Sequence, residues 1–175
     1  GNILAAYYAK KMGVPVNKLI CASNANNVLT DFIRTGTYDR NRSFFTTISP
    51  SMDILISSNL ERMLFELSGN NDKEVASLQE SLSKNGTFTV SESIKRKMSE
   101  LFWAGCCDDE ETLKTIGKYF DEYSYLSDTH TAVALNVYEQ YIAATGDDRP
   151  TVIASTASPY KFANSVLSAI SEKKG

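Results

Sequence analysis

The chain has one histidine, His130, and three cysteines, Cys21, Cys106 and Cys107, among 175 residues. No C-x-x-C pair occurs, so the usual Cys/His ligand set of a zinc site is missing. An odd number of cysteines, two of them adjacent, argues against a disulfide framework and for reduced, partly buried thiols of a cytoplasmic protein. No run of Lys or Arg forms a basic stripe and the net charge is −3, which removes the phosphate-neutralising surface of a nucleic-acid binder. No apolar run reaches the roughly 18 residues of a membrane span. The opening GNILAAYYAKKMG lacks a basic segment ahead of an apolar one and so is no signal peptide. It also lacks an initiator Met and begins in a helical pattern, from which we expect a piece of a longer protein. A lone histidine among many serines is no Ser-His-Asp signature either.

What is present suits a folded domain or part of one: 42% of residues are hydrophobic and 22% charged. Apolar spacing predicts helices over 3–12, 28–34, 52–67 (with a fresh start allowed at 57–59), 73–84, 91–105, 131–145 and 163–170, and another opening at 108–111. In the first of these, Ile3, Leu4, Tyr7, Tyr8 and Met12 share a face. Short apolar or alternating runs predict strands at 18–23 (KLICAS), 43–48 (SFFTTI), 86–90 (GTFTV), 123–126 (YSYL) and 150–155 (PTVIAS). The alternation of helices and strands predicts an α/β fold, a parallel sheet flanked by helices. The tail EKKG is polar and expected to fray.

Ligands of α/β sheets gather at the carboxyl ends of strands. Three loops rich in small polar residues fall in such places: 23–27 (SNANN), 127–131 (SDTHT) and 155–159 (STASP). Each can hydrogen-bond a polar ligand, and each can equally cap the following helix. The acidic run Asp108, Asp109, Glu110 and Glu111 can hold a metal but suits the positive end of a helix dipole better. Gly1 and Asn2 fit the end of a phosphate-binding loop that feeds a helix.

The segments GNILAAYYAKKMG, LICASNANNVLTDFIRTGTYDR, SPSMDILISSNLERMLFEL, SDTHTAVA and STASPYKF, in this order, resemble consecutive segments of threonine synthase. The resemblance implies a fold-type II enzyme that uses pyridoxal 5'-phosphate (PLP) as a carbon–oxygen lyase. It converts O-phospho-L-homoserine and water to L-threonine and phosphate. The chain then reads as a fragment, residues 1–175 being part of the PLP-binding large domain with a helical C-terminal extension at about 70–122. Its Schiff-base lysine would lie upstream, in a missing N-terminal part of the same enzyme, and the piece alone would be inactive. The alternative is a non-catalytic α/β binding module that keeps the scaffold.

The same resemblance assigns roles. Gly1 and Asn2 match the end of the GNFGN loop whose amides cradle the cofactor phosphate. Thr156, with Ser155 beside it, matches the hydroxyl that meets the pyridine nitrogen. SDTHTA matches DPHTA, with Thr129 in place of the usual Pro, and sets Asp128 near the cofactor and His130 and Thr131 near the substrate. Ser51, Asp53 and Arg62 fall in the SPSMDI…NLER element and join the substrate set, Arg62 as a phosphate ligand or as half of a helix–helix ion pair. Ser158 stands where many members carry His. Lys161 matches no imine lysine.

Overall fold

A computed structural model describes residues 1–171. In chain order the elements are α1 (Asn2–Lys11), β1 (Leu19–Ser23), α2 (Val28–Thr35), β2 (Thr37–Asp39), α3 (Leu60–Leu67), α4 (Asp72–Asn85), β3 (Thr87–Thr89), α5 (Glu92–Leu101), β4 (Phe102–Cys106), α6 (Asp109–Tyr123), α7 (Thr129–Thr145) and α8 (Ala163–Ser171), with single 3-10 turns at Pro50–Met52 and Pro159–Phe162. The fold is mixed α/β with a small parallel sheet, β1 beside β4; β2 and β3 pair antiparallel. The polar tail, residues 172–175, lies outside the described residues.

Two compact units emerge. The first comprises Gly1–Cys21, Asn27–Phe44 and Ile54–Ala104. Its core is built from one face of each helix: Leu4 and Tyr7 of α1, Val28 and Phe32 of α2, Leu64 and Leu67 of α3, Val75 and Leu82 of α4, and Ile94 and Met98 of α5. Tyr8 and Met12, expected on the buried face of α1, are exposed at 37% and 78%. The second unit comprises Ala22–Asn26, Phe45–Asp53 and the chain from Gly105 onward. Its apolar cluster joins Ile116 of α6, Ala132 of α7, and Val166 and Ala169 of α8. There α6 starts in a capping box: Asp108 accepts from the Glu111 amide and Glu111 from the Asp108 amide. The acidic run is thus a helix start.

Several expected elements are absent or shifted. Helix α5 stops at Leu101 and FWAGC becomes β4, because these β-prone residues find β1 as a partner. Residues 53–59 are not helical; only the 3-10 turn and α3 form. No strand forms at 43–48, where side chains capture the amides: Asn26 Oδ1 accepts from Phe45 N and Asp53 Oδ2 from Thr47 N. No strand forms at YSYL: α6 ends on its first residue, Tyr123, and is closed by Ser124 in the left-handed region at φ 53°. Residues 151–156 run without strand pairing, Val152 being 97% exposed. Two of the three polar loops therefore follow no strand.

Candidate functional site

The N-terminus of α7 carries the polar cluster of the second unit. Asp128 is the cap: its Oδ1 accepts from the amides of His130 (2.8 Å) and Thr131 (3.3 Å), and its Oδ2 accepts from the Thr131 hydroxyl. Thr131 Oγ1 in turn lies 3.0 Å from Ser155 Oγ. The structure thus unites Asp128, Thr131 and Ser155, although the last two stand 24 positions apart. Just before the cap, Ser127 Oγ is buried with no hydrogen-bond partner among the described residues. Thr156, next to Ser155, is exposed on the unpaired segment.

His130 packs its ring on Phe162, centroids 4.8 Å apart. Its Nδ1 lies 3.2 Å from Asp128 Oδ1, and its Nε2 accepts from the Ser51 amide at 3.1 Å. The Ser51 contact therefore runs through backbone, its side chain being exposed. Asp53 closes the same turn. Its Oδ1 accepts from Asn24 Nδ2 (2.7 Å), Asn26 Nδ2 (3.0 Å) and Thr47 Oγ1 (2.7 Å). Thr47 and Ser49 were not among the sequence-based candidates, and Asn24 and Asn26 were marked only as members of the polar loop 23–27. The Asn-rich loop after β1 was their one visible signal, since their partners lie far along the chain.

The remaining candidates belong to the first unit. Gly1 is the N-cap of α1 and Asn2 its first residue. No side chain caps this helix and its first turn has no acid, so its amides remain available to an anion. Arg62 is exposed in the first turn of α3 and donates to Asn59 Oδ1 at 3.1 Å, pairing with no carboxylate among the described residues. An apolar cavity of ≈ 110 Å³ opens beside Gly1, Leu4, Cys21, Phe32, Leu60 and Met63. Burial pushes the Cys21 thiol up to about 11, and the Cys107 thiol to about 12. Neither is a thiolate nucleophile near neutral pH.

Residues 131–175 match the family described as "Threonine synthase, C-terminal". The chain is 42% identical to threonine synthase-like 1 of Homo sapiens over 175 residues, which cover 99% of this chain and 23% of that protein. The crystal structure of threonine synthase from yeast superposes with a TM-score of 0.90 at 38% identity, over 97% of this chain and 36% of that one. A PLP-bound threonine synthase from Brucella melitensis does so with a TM-score of 0.85 at 36% identity, over 96% and 35%. The chain spans about a quarter to a third of the length of these relatives. In sequence and in fold alike, the chain matches the C-terminal part of threonine synthases.

Proposed function

We propose that this chain supplies part of the cofactor and substrate site of a cytoplasmic threonine synthase, which turns O-phospho-L-homoserine and water into L-threonine and phosphate. In this reading residues 1–175 are part of the PLP-binding large domain, with residues 70–122 as its extension. A separate N-terminal part of the enzyme brings the imine lysine, and the chain alone is inactive. The observation that carries the proposal is the hydroxyl cluster at the start of α7, where Asp128 fixes Thr131 and Thr131 meets Ser155.

The residues present fit PLP. The uncapped, acid-free start of α1 at Gly1 and Asn2 suits a phosphate, whereas α4, α5, α6 and α7 each use their own side-chain cap. Ser155 and Thr156 offer hydroxyls on an exposed, unpaired segment, and a hydroxyl can donate to or accept from a ring nitrogen. When bound, the cofactor supplies the electron sink for carbanion chemistry at the substrate. Asp128 holds the Thr131 hydroxyl and, through it, the position of Ser155. Arg62, which pairs with no carboxylate among the described residues, serves to hold the substrate phosphate in a two-pronged contact, and the Ser51 hydroxyl is a separate candidate donor.

The test is PLP-dependent phosphate release from O-phospho-L-homoserine by the full-length protein. Thr156→Val removes one buried hydrogen bond in the loaded site and should lower turnover roughly ten- to a hundredfold while PLP stays bound. Thr156→Asp should alter the cofactor spectrum. Unchanged turnover and spectrum in both variants would remove Thr156 from the cofactor. PLP binding without any phosphate release would instead favour a non-catalytic binding module.

A further inference from the structure

The Ser51 amide, two positions before Asp53, meets the ring of His130, and the polarity of that contact fixes where the ring's proton sits. A backbone amide can only donate, so Nε2 of His130, 3.1 Å from Ser51 N, accepts and carries no hydrogen. A carboxylate can only accept, so Nδ1, 3.2 Å from Asp128 Oδ1, carries the proton. The opposite tautomer would set donor against donor at one end and lone pair against carboxylate at the other. Phe162 covers the ring, and the His130 side chain is only 11% exposed.

The Ser51 amide is itself placed from behind. It sits in the 3-10 turn Pro50–Met52, directly before Asp53. Three donors converge on Asp53 Oδ1, from Asn24, Asn26 and Thr47, and the Thr47 amide meets Oδ2 at 3.0 Å. Asn24 also donates to the Ser49 carbonyl and hydroxyl, so both sides of the turn are held. Asn24, Asn26 and Ser49 are buried at 1%, 2% and 0% exposure. A carboxylate with four protein donors is committed to the turn and is poorly disposed to bind substrate.

We propose that Asp53, Asn24 and Asn26 are positioning residues that, through the Ser51 amide, hold His130 as its neutral Nδ1–H tautomer with Nε2 closed to substrate. His130 then ties the turn at Pro50–Met52 to the start of α7. It is not an acid, a base or a phosphate ligand. The inference refines the proposed threonine synthase site and rests on that reading for its relevance to catalysis, but its measurement needs neither PLP nor substrate.

His130 is the sole histidine, so ¹⁵N-histidine labelling of the chain gives the resonances of one ring. Under mildly alkaline conditions, Nδ1 should show the shift and coupling of a protonated nitrogen and Nε2 those of an unprotonated one. Asp53→Asn replaces one acceptor oxygen by an NH₂ group, and Asn24→Ala removes a donor from the same carboxylate. Either should loosen the turn and raise the Nε2–H form to about a tenth of the population or more. The second variant decides the matter if the first does not fold. A proton on Nε2 in the unmodified chain, a tautomer mixture there, or an unaltered tautomer in the folded variants would overturn the proposal. Loss of phosphate release in the enzyme assay would not, so the two readings fail separately.

Discussion

Tyr38 lies flat on Phe88, ring centroids 5.3 Å apart and planes within 8°, as cross-strand partners in β2 and β3. Phe32 of α2 meets both rings edge-on at 5.6 Å. Such aromatic packing stabilises beyond the area it buries. The far end of the same ring is polar. Its hydroxyl donates to the Leu55 carbonyl at 2.9 Å and accepts from the Ser57 amide at 3.0 Å. One side chain, 1% exposed, thus fills the core of the first unit and fixes the loop that leads to α3.

Tyr38→Phe should separate these two tasks. The stack survives, but a backbone carbonyl and an amide lose their partner, at a cost of ~1–3 kcal/mol in urea unfolding. A loss below ~0.5 kcal/mol would mean that water replaces the hydroxyl at no cost.

Gly86 and Gly146 end α4 and α7 with similar positive φ, 74° and 67°. A Cβ on Gly86 would stand 2.1 Å from Asn41 Oδ1, while nothing lies within 4 Å of one on Gly146. Gly146→Ala should therefore cost only the left-handed conformation, roughly 1–2 kcal/mol. Gly86→Ala should cost about 1 kcal/mol more, because Asn41 must leave the Asn85 carbonyl it donates to at 2.9 Å. Combining it with Asn41→Ala should remove that excess. Equal costs for the two single alanines would show that Asn41 swings away freely.

Asp128 and Asp108 both cap helices, yet they differ in what else depends on them. Asp108 serves its own exposed capping box, so Asp108→Ala should cost ~1 kcal/mol. Asp128, with a fully buried side chain, also binds the Thr131 hydroxyl and faces His130 Nδ1. Asp128→Ala should cost ~2–4 kcal/mol and Asp128→Asn less, read from denaturation midpoints. Similar losses at the two sites would reduce Asp128 to an ordinary cap.

What the sequence made legible was local. The acidic first turn of α6 and the glycines after α2 and α7 act within a few residues, and the helix ends follow from them. FWAGC misled because Phe102 continues the spacing set by Met98, four positions earlier. The property that makes it a strand belongs to β1, far away in the chain. At 43–48 the residue types suit a strand, yet Asn26 and Asp53 take the amides, a substitution that no periodicity reveals. The candidate site divides the same way. Motif resemblance located Asp128, Thr131 and Ser155, whereas the partnership of Asn24 with Asp53 exists only once the chain has folded.

The buried thiols give a pH signature. Burial raises Cys21 to about 11 and Cys107 to about 12 from an ordinary 9.0, the Thr112 hydrogen bond opposing the shift at Cys107. The folded chain therefore keeps protons that the unfolded chain releases. The associated stability is intact below pH 9.0 and lost as the pH climbs through about 11 and 12. Replacing both thiols by alanine should flatten the fall in unfolding midpoint over that alkaline range. At about pH 8, iodoacetamide with peptide mapping should mark the half-buried Cys106 well before the other two. Labelling of Cys21 or Cys107 at the rate of Cys106 would contradict the burial argument.

The link from Ser51 to His130 spans 79 positions, against 29 for that from Asn24 to Asp53. On chain-closure entropy alone the longer link costs only ~0.9 kcal/mol more, but in folding it has to wait. Helices α6 and α7 can form from near neighbours, and the Asp53 turn needs only the first third of the chain. The ring of His130 finds its amide after both are in place. We therefore expect the histidine tie to be among the last contacts made in refolding and among the first released under stress. Ageing or mild heat should then erode site geometry while the helical signal is still intact.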